Sequence, residues 1–276
     1  METNKRPMLY TSLLLSVLFL SFTASVLCQE VDDEREFDYI RGSEMGPERW
    51  GEIRPEWATC STGEMQSPID LLDARVKVTP RSAEINRLYR PTRAMLRNRG
   101  HDIELEWEDD SSRIQINGTE YILRQSHWHS PSEHTINGKR YDMELHMVHQ
   151  SRDNQTAVIG LLYKIGKPNH FLSKLMNNIR LISETTLELD VGIINPSRIK
   201  MGGRKYYRYL GSLTTPPCTE GVIWTLNTQI GTVSEEQVSL LREAVHDHAE
   251  ENARPLQRTN GRNMRLYAHM IKNRQE

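Results

Sequence analysis

Apolar and polar residues alternate along much of the chain from residue 102 to residue 163, a period of two that predicts strands rather than helices. Ile103, Leu105 and Trp107 alternate with Asp102, Glu104 and Glu106, the pattern of a half-buried strand. Glu108-Asp109-Asp110-Ser111 reads as a turn and Arg113–Ile116 as a short strand. Asn117-Gly118 reads as a tight reversal into a strand over 120–129. In that strand Leu123, Gln125, His127 and His129 are expected on one face. A second turn signal, Asn137-Gly138, returns the chain into residues 143–149, where Glu144, His146 and Val148 share a side. Residues 156–163, TAVIGLLY, are apolar without alternation, as in a strand buried on both faces.

Helices are expected only at the periphery. Residues 169–179 place Leu172, Leu175 and Ile179 at helical spacing, and Ser234-Glu235-Glu236-Gln237 is a capping box opening a helix through His248. His246 and His248 would point about 200° apart on that helix, so they read as surface residues and not as a ligand pair. Residues 42–68, rich in Gly, Pro and Trp without periodicity, read as an irregular arm laid over the domain. There is no internal repeat, linker or low-complexity block, so one domain fits best.

The first residues depart from this pattern. Lys5 and Arg6 precede an apolar run over 13–27, and an acidic stretch over 30–36 follows it. That order predicts a signal peptide over 1–28, cut after Ala24 or after Cys28. Ser12, Ser16, Ser21, Ser25 and Thr23 dilute the run, which favours cleavage over an uncut membrane anchor. The folded domain then occupies 29–276, with a flexible acidic start and a basic end, and no stable membrane insertion is expected after cleavage. Three cysteines are present. If Cys28 leaves with the leader, Cys60 and Cys218 remain, and one even pair in an oxidising compartment reads as a disulfide. Two sequons, Asn117-Gly118-Thr119 and Asn154-Gln155-Thr156, agree with that compartment. Asn154 follows a polar loop and is the better acceptor; Asn117 equally reads as a bare turn residue. The net charge of −2 and the scattered Lys and Arg give no footprint for nucleic acid, and nothing in the pattern speaks to oligomeric state.

The chemistry concentrates in QSHWHSPSEHTINGKRYDMELHMVH, residues 125–149. His127 and His129 are two apart on one strand face, and His146 lies on the strand that returns beside it, so three imidazoles can meet at one point. Three neutral imidazoles suit zinc with the fourth position left to water, the mark of a catalytic site. Gln125 and Glu144 each precede a ligand by two residues and can accept a hydrogen bond from its other ring nitrogen. His134 and His149 point away from this face or into the turn and read as buried structural hydrogen-bonders.

With these residues in view, the chain resembles an α-class carbonic anhydrase from about Tyr39 to Gln257. The landmarks are Gln66-Ser67-Pro68-Ile69-Asp70, Asn98-Arg99-Gly100-His101, the histidine block, Gly211-Ser212-Leu213-Thr214-Thr215-Pro216-Pro217, and Asn252-Ala253-Arg254-Pro255. The wording around PPCTEGVIWT and NARPLQ is similar to the plant branch, and the interval from His129 to Glu133 is shorter than in vertebrate cytosolic members. The resemblance implies a mainly β, single-domain fold: one large twisted, mostly antiparallel sheet of about ten strands with short outer helices. It implies His127, His129 and His146 as Zn2+ ligands, with Gln125, Glu144 and the backbone of Asn252 as their hydrogen-bond partners. It assigns Thr214 and Glu133 to a gate that orients the nucleophile and His101 to a proton shuttle on a mobile rim side chain. Thr214, Thr215, Val148, Val158, Leu213 and Trp224 would receive the substrate, and Cys60 and Cys218 would form the disulfide of secreted members. The implied reaction is reversible hydration of carbon dioxide to bicarbonate and a proton, by attack of zinc-bound hydroxide and histidine-mediated proton transfer. The implied location is the secretory route, ending in the apoplast or, as in some plant relatives, in the chloroplast stroma. Two other readings are a non-catalytic binding or storage relative, which would typically lack a ligand histidine, and a zinc hydrolase acting on esters.

Overall fold

A computed structural model describes residues 36–80, 85–184, 188–202, 205–245 and 251–268. The leader over 1–28 with its two cut sites and Cys28, His246, His248 and residues 269–276 of the basic end lie outside the described residues. Among the described residues no helix is long and apolar enough to cross a membrane.

The alternating segments become strands. The spine of the main sheet comprises, in chain order, β1 (Val76–Pro80), β2 (Thr92–Asn98), β3 (Ile103–Trp107), β4 (Thr119–His129), β5 (Met143–Gln150), β6 (Thr156–Ile165), β7 (Glu188–Ile194), β8 (Tyr206–Ser212), β9 (Glu220–Asn227) and β10 (Met264–Ala268). Their order in space is β7-β2-β3-β4-β5-β6-β9-β8-β10-β1. Asn86–Leu88, Arg113–Ile116 and Gly231–Val233 attach beside the spine, giving among the described residues a sheet of 13 strands, and a separate small sheet has 3. Most neighbours are antiparallel, as expected, but β6 with β9 and β10 with β1 run parallel. The asparagine–glycine turns lie where the sequence places them: Asn117 and Gly118, and Asn137 and Gly138, all have positive φ, the conformation of a two-residue hairpin turn.

The strand period divides the two faces of β5. Met143, Leu145 and Met147 enter the larger apolar core, together with Trp128 of β4 and Leu105 of β3. Glu144, His146 and Val148 face the other way, and Val148 packs with Val158, Leu213 and Trp224 in a second cluster. β4 follows the same rule with one correction to the sequence expectation. Leu123 does not share the face of Gln125, His127 and His129. The β4–β5 register pairs Val148 with Gln125 but His149 with Leu123, so Arg124 is an extra residue in a bulge. One extra residue reverses the alternation before it and sends Leu123 into the core. A second correction concerns Asp102, just before β3, and Glu104 within it, which are buried and not solvated.

Residues 169–179 form two helices rather than one, His170–Ser173 and Met176–Glu184, and Leu172, Leu175 and Ile179 are all buried. The capping box at Ser234 is present, but its helix, Glu235–Ala244, ends four residues earlier than expected because Val245 turns extended, with φ −79° and ψ 148°. The arm is not wholly irregular: short helical turns at Trp50–Ile53 and Thr59–Thr62 pack Trp50, Trp57 and Cys60 with Phe37, Tyr39 and Cys218.

Candidate active site

The β4–β5 register sets His146 directly opposite His127 and Glu144 opposite His129, so all four side chains rise from one face. All three histidines are buried. Their ring centroids lie 4.9 Å (His127–His129), 5.1 Å (His127–His146) and 4.6 Å (His129–His146) apart. One nitrogen of each ring is engaged from outside. His127 Nδ1 lies 2.7 Å from Gln125 Oε1, His129 Nδ1 2.7 Å from the carbonyl of Asn252, and His146 Nε2 2.8 Å from Glu144 Oε1. An acceptor at that nitrogen places the ring proton there, so the second nitrogen presents a bare lone pair. Those second nitrogens, Nε2 of His127 and His129 and Nδ1 of His146, turn toward one another.

This arrangement fits a metal and little else. His127 Nε2 and His146 Nδ1 are 3.2 Å apart with no proton between them in these tautomers, and His129 Nε2 is buried without a hydrogen-bond partner. Three converging lone pairs repel unless a cation sits among them. The three ligand atoms lie within 4.8 Å of one another, a spacing that suits one small ion. Burial pushes His127 well below the usual histidine range, toward the neutral ligand form. At His129 burial acts the same way and is the largest single effect, but the Glu133 carboxylate, the Asn252 carbonyl and the Asp102 and Glu144 carboxylates together outweigh it and raise the pKa, favouring a proton that an incoming cation would displace.

The outer partners are themselves fixed. Glu144 Oε1 is shared with His134 Nδ1 at 2.8 Å, and Glu144 Oε2 accepts from the His134 backbone N–H at 2.8 Å. His134 Nε2 meets Tyr209 Oη at 2.6 Å, which meets Ser67 Oγ at 2.8 Å. His134 is therefore a buried hydrogen-bonder, as the sequence suggests, and so is His149, bonded to Tyr89 Oη at 2.8 Å. Tyr209 and Ser67 are contributions that no local pattern marks. Gly160, opposite His146 on β6, is another. A Cβ there would lie 2.3 Å from Leu226 and 3.0 Å from Glu144 Oε1, so only glycine leaves room for this carboxylate. Asn252 acts with its side chain too, donating to the carbonyls of His101 and Trp128 and accepting from the Ser130 N–H.

Glu133 is fully buried. Its Oε1 accepts from the Arg254 backbone N–H at 3.0 Å, while Oε2 has no hydrogen-bond partner and lies 3.6 Å from His129 Nε2 and 4.0 Å from His146 Nδ1. Thr214 and Thr215 are buried on the loop after β8, and the Thr215 hydroxyl has no partner. The loop is anchored by the Cys60–Cys218 disulfide, with Cα atoms 5.0 Å apart, and by Gln66 Nε2 donating to the Cys218 carbonyl at 3.1 Å. Trp224 packs on His146 with centroids 4.8 Å apart, so the apolar wall of Val148, Val158, Leu213 and Trp224 borders the imidazoles. His101 departs from expectation. It is 2 % exposed, packed 4.9 Å from Phe37, with neither ring nitrogen hydrogen-bonded, and burial pushes its pKa down to about 4. This is a covered side chain, not a mobile one on a rim.

Comparison with known proteins agrees with this geometry. The eukaryotic-type carbonic anhydrase family model matches residues 45–268. Alpha carbonic anhydrase 7 of Arabidopsis thaliana is 54% identical over 243 residues, 88% of each chain. Among solved structures, dioscorin complexed with ascorbate superposes with a TM-score of 0.83 at 43% identity, over 86% of this chain and 100% of that one. The α-carbonic anhydrase of Thermovibrio ammonificans, in complex with sulfanilamide, gives 0.74 at 35% identity, over 83% and 98%.

Proposed function

Because this chain belongs to the carbonic anhydrase family, in its α class and plant type, and is thus an enzyme interconverting carbon dioxide and bicarbonate, we propose that His127, His129 and His146 hold its zinc and that Thr214, Glu133 and His101 control its protons. The observation that carries this reading is the set of three inward nitrogens, each with its opposite nitrogen tied to an acceptor. Zinc so held supplies an acidified water as nucleophile and a positive charge for the developing anion.

The chain's own residues do the rest. Gln125, Glu144 and the Asn252 carbonyl fix the ring orientations and tautomers of the ligands, so that one chosen nitrogen of each is aimed at the ion. Arg254 N–H holds Glu133 by one oxygen and leaves the other free to accept from the Thr214 hydroxyl. A Thr214 O–H turned to that oxygen would keep only lone pairs for the attacking water and so would orient that water toward the carbon. Val148, Val158, Leu213 and Trp224 offer carbon dioxide a dry surface that gives the charged product no hydrogen bond. Thr215 contributes a hydroxyl for the substrate oxygen. Replacing Thr214 by valine should lower kcat/KM by about 100-fold while zinc content stays at one per chain. Stopped-flow hydration beside metal analysis checks this, and an unchanged rate removes Thr214 from the gate.

Proton removal falls to His101. Its ring has to leave Phe37 to reach water, and because neither nitrogen is hydrogen-bonded, that rotation breaks no hydrogen bond. His101→Ala should slow turnover roughly tenfold or more in dilute buffer with zinc retained, and concentrated imidazole should restore it. Equal rates for variant and wild type in dilute buffer would count against the shuttle. The same reading puts the enzyme on the secretory route, delivered to the apoplast or carried on to the chloroplast stroma. It is supported by the leader pattern, the disulfide, and sequon asparagines Asn117 and Asn154 that are both exposed on turns and open to glycosylation. Zinc analysis of the purified protein, paired with carbon dioxide hydration and its inhibition by a sulfonamide, tests the whole assignment.

A further inference from the structure

Beside His127 lies a set of buried charges that the mechanism above does not use. Arg99, Asp102 and Glu104 are 6 %, 1 % and 6 % exposed. Arg99 Nε donates to Asp102 Oδ1 at 2.8 Å and Nη2 to Oδ2 at 2.5 Å, a two-point grip, while Nη1 lies 3.0 Å from Glu104 Oε2. Glu104 is paired with His127 across β3 and β4, so its side chain leaves the sheet on the ligands' face, one strand away. Asp102 is held as a carboxylate: burial alone would raise its pKa, but the two-point grip of the Arg99 guanidinium carries it below the usual range. By formal charge the three side chains sum to −1, in a buried setting where water screens little.

We propose that the Arg99–Asp102–Glu104 cluster is an electrostatic wall of the metal site, with Glu104 as the residue that strengthens the hold on the cation and repels anions from it. The proposal rests on the assignment of His127, His129 and His146 as ligands. A fixed negative charge acts with opposite sign on the two partners of the site: it attracts the zinc and opposes any anion that approaches it. For this enzyme the second effect has a direct use, because the product is an anion and must leave, whereas carbon dioxide carries no charge and is indifferent to the wall. The charge needs the guanidinium to be buried at all, since two bare carboxylates in this position would not both ionise.

Glu104→Gln keeps the shape and removes the charge. In the full mature protein, zinc affinity measured by competition with dipicolinate should fall about 10-fold. In the zinc-loaded variant, thiocyanate, followed by titration calorimetry, should bind about 5- to 10-fold more tightly. Glu104→Asp, which keeps the charge, should restore both values toward wild type. A side chain that only props up the strand predicts something else: weaker zinc together with weaker or unchanged thiocyanate. That pattern overturns the proposal, as does no change in either affinity. Asp102→Asn carries the same two expectations should Glu104→Gln fail to fold. The wild-type titration separates the layers of the argument. Absence of zinc binding there would sink the ligand assignment itself, whereas normal wild-type binding with an unaltered variant would sink only the wall.

Discussion

His146→Ala is expected to empty the metal site and bring carbon dioxide hydration to background. His146 supplies one of three nitrogens, and the other two come from a single strand, two ligands being too few to hold zinc tightly without one from the neighbouring strand. Losing an outer hydrogen-bond partner typically weakens a metal by about 10- to 100-fold, and losing a ligand must exceed that. The substitution also frees Glu144, whose Oε1 then serves His134 alone. Because the ring and backbone N–H of His134 still satisfy that carboxylate, and Tyr209 still holds His134, the fold should survive, and circular dichroism should remain that of wild type. Metal analysis after dialysis and a stopped-flow assay decide the matter. Zinc retained at one per chain would mean that the ligand set has been misread.

The second large effect is on stability. The Cys60–Cys218 bond closes a loop of 158 residues. In the chain-entropy account such a closure contributes about 5 kcal/mol, against a total domain stability of about 5–15 kcal/mol. Cys60→Ser with Cys218→Ser should therefore lower the free energy of unfolding by about 4–5 kcal/mol as an upper figure, read from the denaturant midpoint at constant slope. The loss should be felt at the site as well. Cys218 ends the loop that carries Thr214 and Thr215, and Cys60 sits on the arm whose carbonyl accepts from Arg254 Nη2 at 2.9 Å. The double serine variant should lose activity at a denaturant concentration well below that which unfolds the wild type. An unshifted midpoint would show that the bond adds nothing to the folded protein beyond what packing already supplies.

Local patterns made much of this legible in the sequence. Strand alternation, the asparagine–glycine turns and the capping box at Ser234 are local devices, and each forms where its residues predict. The three imidazoles could be brought together because a strand pair has only one spacing to offer. Features set by non-local contacts were not legible. The bulge at Arg124 exists because β5 and β4 must satisfy two cores at once, and nothing in Leu-Arg-Gln announces it. Glu104 reads as a solvated strand residue, since its buried partner Arg99 lies across a turn and alternation assigns charges to water. Tyr209 and Ser67 act on Glu144 only through His134, from segments far away in sequence, and Gly160 makes room for it from the neighbouring strand. His101 was misplaced for the same reason: its cover is Phe37, a residue of the arm, and no short-range signal links the two.

The pairing order carries a consequence for how the chain comes into being. β4, β5 and β6 follow one another in sequence and pair as neighbours, so the strands that carry the three imidazoles can pair while later segments, Asn252 and Arg254 among them, are still being synthesised. β1 has a different history. Its partner in the spine, β10, is the last strand among the described residues, so β1 emerges from the ribosome long before that partner exists. Until β10 arrives, the backbone edges of both β1 and β8 are open to pairing with other chains. Shelter of those edges is therefore needed for the interval in which the central strands are paired and the rim is unfinished.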